Sequence, residues 1–216
     1  MPKTLPTSPE PPQTGRQIVV PYITAWTEEK DPPVVLVERP GGGIAYRDET
    51  LADRDHNGVL WFRTPFRPGQ GRPDFGRVHP VRQRRAMQRL LCQVCAGPAN
   101  TTEDGVLWLL KDHREDWPMW PNGMGVTEPP ICLPCVRLSM RLCPALRKRA
   151  VVVRAGTFIV AGVYGTLYRA DRSLSAIGPA NVSFDDPAIG WIRAVSLVRE
   201  LHDCAIGSIT EIFSLQ

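Results

Sequence analysis

The chain has 216 residues and a mass of 24.0 kDa, enough for one compact domain or two small ones. A composition that is 43% hydrophobic and 22% charged excludes a disordered polyelectrolyte, while 22 prolines and 18 glycines exclude an architecture of long helices. The formal charge is +4, and only Lys3, Lys30, Lys111 and Lys148 among the 26 basic residues are lysines, so the positive charge is almost entirely guanidinium.

No run of 18 apolar residues occurs, and the N-terminal Met-Pro-Lys-Thr-Leu-Pro lacks the apolar stretch of a secretory signal, so the expected location is cytoplasmic, away from membranes. In that reducing compartment, the six cysteines are expected to be metal ligands, redox groups or core residues in preference to disulfides.

Residues 1–16 carry Pro2, Pro6, Pro9, Pro11 and Pro12 among small polar residues and read as a disordered arm. Residues 17–79 form a β-rich region, with strands expected at Ile18–Val20, Val34–Val37, around Ile44–Tyr46 and at Val59–Phe62. Gly41-Gly42-Gly43 is expected to be a hairpin turn, because neither a helix opening nor a Lys-Ser/Thr pair follows to make a phosphate loop. The polar cluster from Asp53 to Gly58 offers metal donors, but Asn57-Gly58 ahead of an apolar strand favours a turn. Residues 64–76 read as an exposed loop, and His79 as a solvated loop residue.

Pro80 is placed to open a helix running to about Leu91. Val81, Met87, Leu90 and Leu91 can share a buried side, with Arg82, Arg84, Arg85 and Arg89 on the remaining surface. The region 80–149 is read as a four-cysteine zinc module. Cys92 and Cys95 form one Cys-x-x-Cys pair and Cys132 and Cys135 a second; each pair sets two sulfurs on one side of a turn, and two pairs complete a tetrahedron around structural zinc. A redox dithiol is the competing reading. Cys143, two helical turns beyond Cys135, and Cys204, beside His202, are expected to be packed in the interior.

Residues 150–216 are expected to form two consecutive strands, 150–156 and 157–168, with Gly156, Gly162 and Gly165 at turns or bulges, followed by a C-terminal helix. Asp185 and Pro187 supply a helix start, and Trp191, Ala194, Val195, Val198 and Leu201 follow at amphipathic helical spacing. The fold class is therefore α+β: small mixed β-sheets around a central zinc module, with the C-terminal helix on one sheet face.

Between the cysteine pairs, the apolar run Gly105–Leu110 leads into Lys111-Asp112-His113, and the second pair runs directly into a helix-compatible stretch. Knuckle, hairpin, loop and helix in that order resemble a treble-clef zinc finger. Over residues 88–145 the pattern is similar to the zinc-bearing HNH endonucleases. The resemblance implies His113 as general base beside Asp112, with Mg or Mn as catalytic metal. The chain departs from the family pattern at Val136, where a His is expected, and offers only Asn122 in the loop before the second pair.

Three functions follow as expectations. In the first, a non-catalytic zinc protein contacts DNA or RNA through Arg82, Arg84, Arg85, Arg89, Arg137 and Arg141, aided by Arg147, Arg149 and the indoles of Trp108, Trp117 and Trp120. In the second, the chain is a metal-dependent nuclease using His113. In the third, zinc stabilises a surface for a protein partner.

Overall fold

The computed structural model describes residues 18–146, 149–169 and 174–208, so the proline-rich arm and Arg147 lie outside the described residues. The architecture is α+β. Its strands are β1 (Thr24–Trp26), β2 (Leu36–Glu38), β3 (Ile44–Tyr46), β4 (Leu60–Trp61), β5 (Pro73–Val78), β6 (Thr101–Thr102), β7 (Gly105–Lys111), β8 (Met124–Val126), β9 (Ala150–Tyr168), β10 (Ala176–Ser183) and β11 (Ile192–Gly207). The helices are α1 (Pro80–Arg89) and α2 (Leu133–Leu142), and neither is long and apolar enough to cross a membrane.

One mixed sheet dominates, with the order β4-β11-β9-β7-β6. Its spine is the antiparallel pair β9 and β11, in register from Ile192 opposite Leu167 to Gly207 opposite Val152. On its other edge β9 takes β7 along Ala150–Ala155 and β10 along Gly162–Tyr168. Two hairpin-like pairs, β1 with β5 and β2 with β3, flank the sheet. Gly41, Gly42 and Gly43 all adopt positive φ in the turn joining β2 to β3, as expected of a glycine hairpin. Asp55 closes the turn before β4, its carboxylate accepting from the N–H groups of Asn57 and Val59.

The alternation of side chains along β7 and β9 separates two cores. Val106, Trp108, Leu110, Val151, Val153 and Ala155 face the side covered by Met87 of α1. Leu107, Leu109 and Val152 face Cys92, Ile131, Cys135 and Val136 on the side covered by α2. Each such fully buried aliphatic side chain contributes about 1.5–3 kcal/mol.

Several expectations are corrected. The C-terminal helix over 185–201 is absent: Asp186 caps a short 3-10 turn, Pro187–Trp191, and β11 follows. Its core residues Ile192, Ala194, Leu197 and Leu201 imitate helical spacing because a β-bulge at Val195 breaks the two-residue alternation. The strands expected at 150–156 and 157–168 are the single strand β9; a Cβ on Gly162 would meet Val182 O at 2.2 Å, and one on Gly165 would meet Arg193 O at 2.1 Å, so these glycines admit close neighbours without turning the chain. Ile18–Val20 lies outside the strands, and the exposed loop ends at Pro73, where β5 pairs with β1.

Arg82 and His79, both expected at the surface, are buried. Arg82 donates from both terminal nitrogens to Glu29, at 2.7 and 2.6 Å, and to Thr24 O at 2.7 Å. Glu29, fully buried, also accepts from the N–H groups of Trp26 (2.8 Å) and Arg67 (2.9 Å). His79 caps α1 by accepting the Arg82 N–H at Nδ1, and Nε2 donates to Pro65 O at 3.1 Å, the pattern of a neutral Nε2–H imidazole. Gln83 seats the helix on the sheet by donating to Thr127 O and Leu197 O and accepting from Leu197 N–H.

Burial raises the Glu29 carboxyl, but the Arg82 guanidinium and the two amides outweigh it and hold the group down at about 2. Burial lowers His79, and the charge of Arg82 adds to the effect. In both cases the unfolded chain binds protons at higher pH than the folded one, so acid destabilises the protein. Stability should decline as pH falls below 6.5, where unfolded His79 charges, and again between 4.5 and about 2 as Glu29 protonates, measured by urea denaturation across pH. Glu29→Gln, which leaves the Arg82 charge buried without its partner, should cost about 3–5 kcal/mol in the same measurement at neutral pH.

Candidate metal centre

The first cysteine pair sits on a tight turn entered directly from α1. Leu90 ends the helix in the left-handed region at φ 50°, Cys92 N–H donates to Gly97 O (2.7 Å), and Ala96 N–H returns to Cys92 O (2.9 Å). Ala96 takes φ 60°, the position where such a turn favours glycine. The second pair opens α2: Cys132 is the N-cap residue and Cys135 lies in the first turn, with the N–H groups of Cys135 and Val136 both bonded to Cys132 O at 3.0 Å.

Backbone hydrogen bonds hold the two turns together. Gln93 N–H donates to Pro130 O (3.0 Å), and Ile131 N–H donates to Leu107 O (2.9 Å), which sets the second pair against β7. The chain ahead of β1 braces the first turn from outside, with Tyr22 N–H on Val94 O (2.9 Å) and Ile23 N–H on Gln93 O (3.3 Å).

As a result, Cys92, Cys95, Cys132 and Cys135 present four sulfurs that all lie within 4.8 Å of one another, close enough to hold one metal ion. Cys92 and Cys135 are buried, Cys132 is half-buried and Cys95 is exposed, with its sulfur 3.8 Å from that of Cys132. Burial raises Cys92, but the backbone N–H groups of Cys95, Cys132 and Val94 outweigh it and lower the thiol. Burial pushes Cys132 up to about 11 and Cys135 higher still, and a thiolate at Cys92 adds repulsion to both. Four thiolates at this separation therefore require a cation among them, and a sulfur-only set suits a soft or borderline ion.

Asp112 and His113 follow β7 into an open polar recess of about 550 Å³, shared with Lys111, Arg114, Glu115, Asp116 and Arg149. His113 Nδ1 lies 2.5 Å from Asp116 Oδ2, and Asp112 accepts from Arg114 Nε at 2.9 Å. Among the described residues, the four cysteines are the only group of three or more side chains placed to hold a metal. Asn122 is turned elsewhere, its side-chain oxygen accepting from Cys204 N–H (3.0 Å). Val136, at the position where the HNH pattern has a His, is fully buried against Leu107 and Leu109.

The arginines do not share one environment. Arg82 is buried on Glu29, and Arg84 lies over the Trp61 ring at 4.4 Å. Arg85 and Arg89 are exposed on α1, whereas Arg137, half-buried, and Arg141, exposed, belong to α2 on the opposite side of the sheet. Trp108 and Trp120 are core residues, leaving Trp117 exposed. Cys143 ends α2 and Cys204 packs against the main core, both half-buried.

The polar groups that position the site from a distance, Glu29, Gln83 and Arg199, carried no local sequence signal. Arg199 donates to Met87 O, at 2.8 Å from one terminal nitrogen, and to Phe158 O, which locks the end of α1 onto the sheet just before Cys92. No protein-family model, curated protein or solved structure matches the chain.

The positive φ at Ala96 costs an L-residue about 1–2 kcal/mol. Ala96→Gly should therefore raise stability by up to about 1 kcal/mol, after the added entropy of the unfolded chain is offset, with metal content unchanged. Thermal unfolding with parallel metal analysis checks this.

Proposed function

We propose that the protein is a zinc-binding scaffold whose four-cysteine centre is structural and non-catalytic, and whose braced sheet serves as a binding surface for a protein partner. The observation that carries this reading is the closed thiolate set of Cys92, Cys95, Cys132 and Cys135. Four protein sulfurs fill the coordination sphere of zinc and leave no open position for substrate or activated water. The order of knuckle, β6–β7 hairpin and α2 supports a treble-clef arrangement around that ion.

A protein partner is favoured over nucleic acid because the basic side chains are dispersed. Arg82 is neutralised inside the protein, and the remaining helix arginines lie on opposite sides of one sheet. A nucleic-acid contact retains one supporting feature, the recess where Lys111, Arg114 and Arg149 gather. Hydrolysis there by His113 and Asp112 with Mg or Mn has less support, because Asp116 and Arg114 engage those two groups and no second metal-donor cluster accompanies them among the described residues.

The purified protein should contain one equivalent of zinc, and Cys92→Ser or Cys132→Ser should lose both the metal and cooperative folding. It should leave DNA and RNA intact when supplied with Mg or Mn. A metal-free chain that stays folded overturns the structural-zinc reading, and metal-dependent cleavage abolished by His113→Ala overturns the non-catalytic one.

A further inference from the structure

A second feature is remote in function from the metal centre. Between the β1–β5 pair and the main sheet lies a cleft of about 250 Å³. One wall is formed by Gly76, Arg77 and Val78 of β5, and the other by Tyr164 of β9 with Val195 and Ser196 of β11. Pro80, the first residue of α1, lines it as well, so the positive end of that helix borders the space.

The sheet is irregular at this wall. Ala194 pairs with Gly165 and Ser196 with Tyr164, so Val195 is an extra residue in β11 and its bulge opens directly onto the cleft. Bulges of this kind re-aim side chains and are concentrated beside binding sites. Here the bulge brings Ser196, a residue only 4% exposed, to the lining of the cleft. Its hydroxyl can donate to or accept from a polar group bound there.

Two charged groups complete the lining. Asp31 accepts from the Thr64 hydroxyl but meets no cation among the described residues. Arg77 uses one terminal nitrogen on the carbonyls of Trp26 (3.1 Å) and Glu29 (2.9 Å), and its Nε lies 3.4 Å from Asp74. Its other terminal nitrogen makes no hydrogen bond among the described residues. Carboxylate and guanidinium on one small cleft complement an ammonium and a carboxylate on one small molecule. Ala25, Val78, Pro80 and Val195 supply the apolar contact for a short aliphatic group. The volume equals that of roughly eight waters at about 30 Å³ each, the scale of a free amino acid.

We propose that this cleft binds a small aliphatic amino acid, its ammonium at Asp31, its carboxylate at Arg77 and the start of α1, and one of its polar atoms on Ser196. The test is thermal unfolding and titration calorimetry of the intact, metal-loaded protein against each common amino acid, with acetate, methylamine and glucose as single-charge and neutral probes. At tenfold over its Kd, at least one aliphatic amino acid should raise Tm by about 3–6 °C. Asp31→Asn, on the exposed rim, and Ser196→Ala should each reduce the affinity at least tenfold while zinc content stays the same. The absence of any response to the amino acids overturns the proposal. So does an equal response to acetate, methylamine or glucose, or a response undiminished in Asp31→Asn. Should Ser196→Ala fail to fold, the Asp31→Asn titration decides alone.

Discussion

Strands β7 and β9 are apolar on both faces, and most of the fold follows from having to cover both. Val106, Trp108 and Leu110 need a lid on one side, Leu107 and Leu109 on the other. Among the described residues, two ten-residue α-helices serve the purpose. Helix α1 meets one face with Met87 and Ala86, while α2 meets the other through Val136 and the two cysteines at its start. A helix of ten residues has little stability of its own, so each lid depends on what pins its ends. The cysteine centre pins the start of α2, just as the Glu29–Arg82 pair pins the start of α1.

The two anchors solve the same electrostatic problem with opposite signs. On the α1 side, a buried guanidinium is tolerable because a carboxylate meets it through two oxygens and Thr24 O accepts a further bond, while the amides of Trp26 and Arg67 donate to that carboxylate. On the α2 side, four sulfurs of like negative charge become tolerable once a cation lies among them. The first anchor joins the N-terminal segment, the loop at Arg67 and α1; the second joins α1's exit, β7 and α2. Because α1 ends three residues before Cys92, the two anchors act on one continuous stretch of chain. Arg199 lies between them, donating to Met87 O and Phe158 O.

What could be read in the sequence was what depends on neighbours in the chain. The Cys-x-x-Cys pairs, the Pro80 start of α1, the helix after Cys132 and the triple-glycine turn are local devices, and their geometry follows from a few consecutive residues. What could not be read depends on partners far away. Arg82 looked like a surface charge because Glu29, inside a strongly polar stretch, gives no hint of burial. His79 looked solvated because its acceptor, Pro65 O, lies in a loop of no regular pattern. β11 looked helical because a single bulge at Val195 shifted the phase of its alternation. The same bulge produced both the misreading and the cleft, which had no signature in composition or spacing.

The long strand β9 changes neighbours partway along its length. β7 leaves it after Ala155 and β10 joins at Gly162, so the stretch between has β11 as its only ladder partner among the described strands. Open edges usually occur at the rim of a sheet, where short strands and charges guard them. Here the opening falls in the middle of the longest strand and carries the exposed side chains of Ile159 and Val160. The molecule thus has two ladders in series along one backbone, joined by a length of single-sided strand. Bending of one half of the sheet relative to the other would concentrate there, at Gly156 and the residues that follow it.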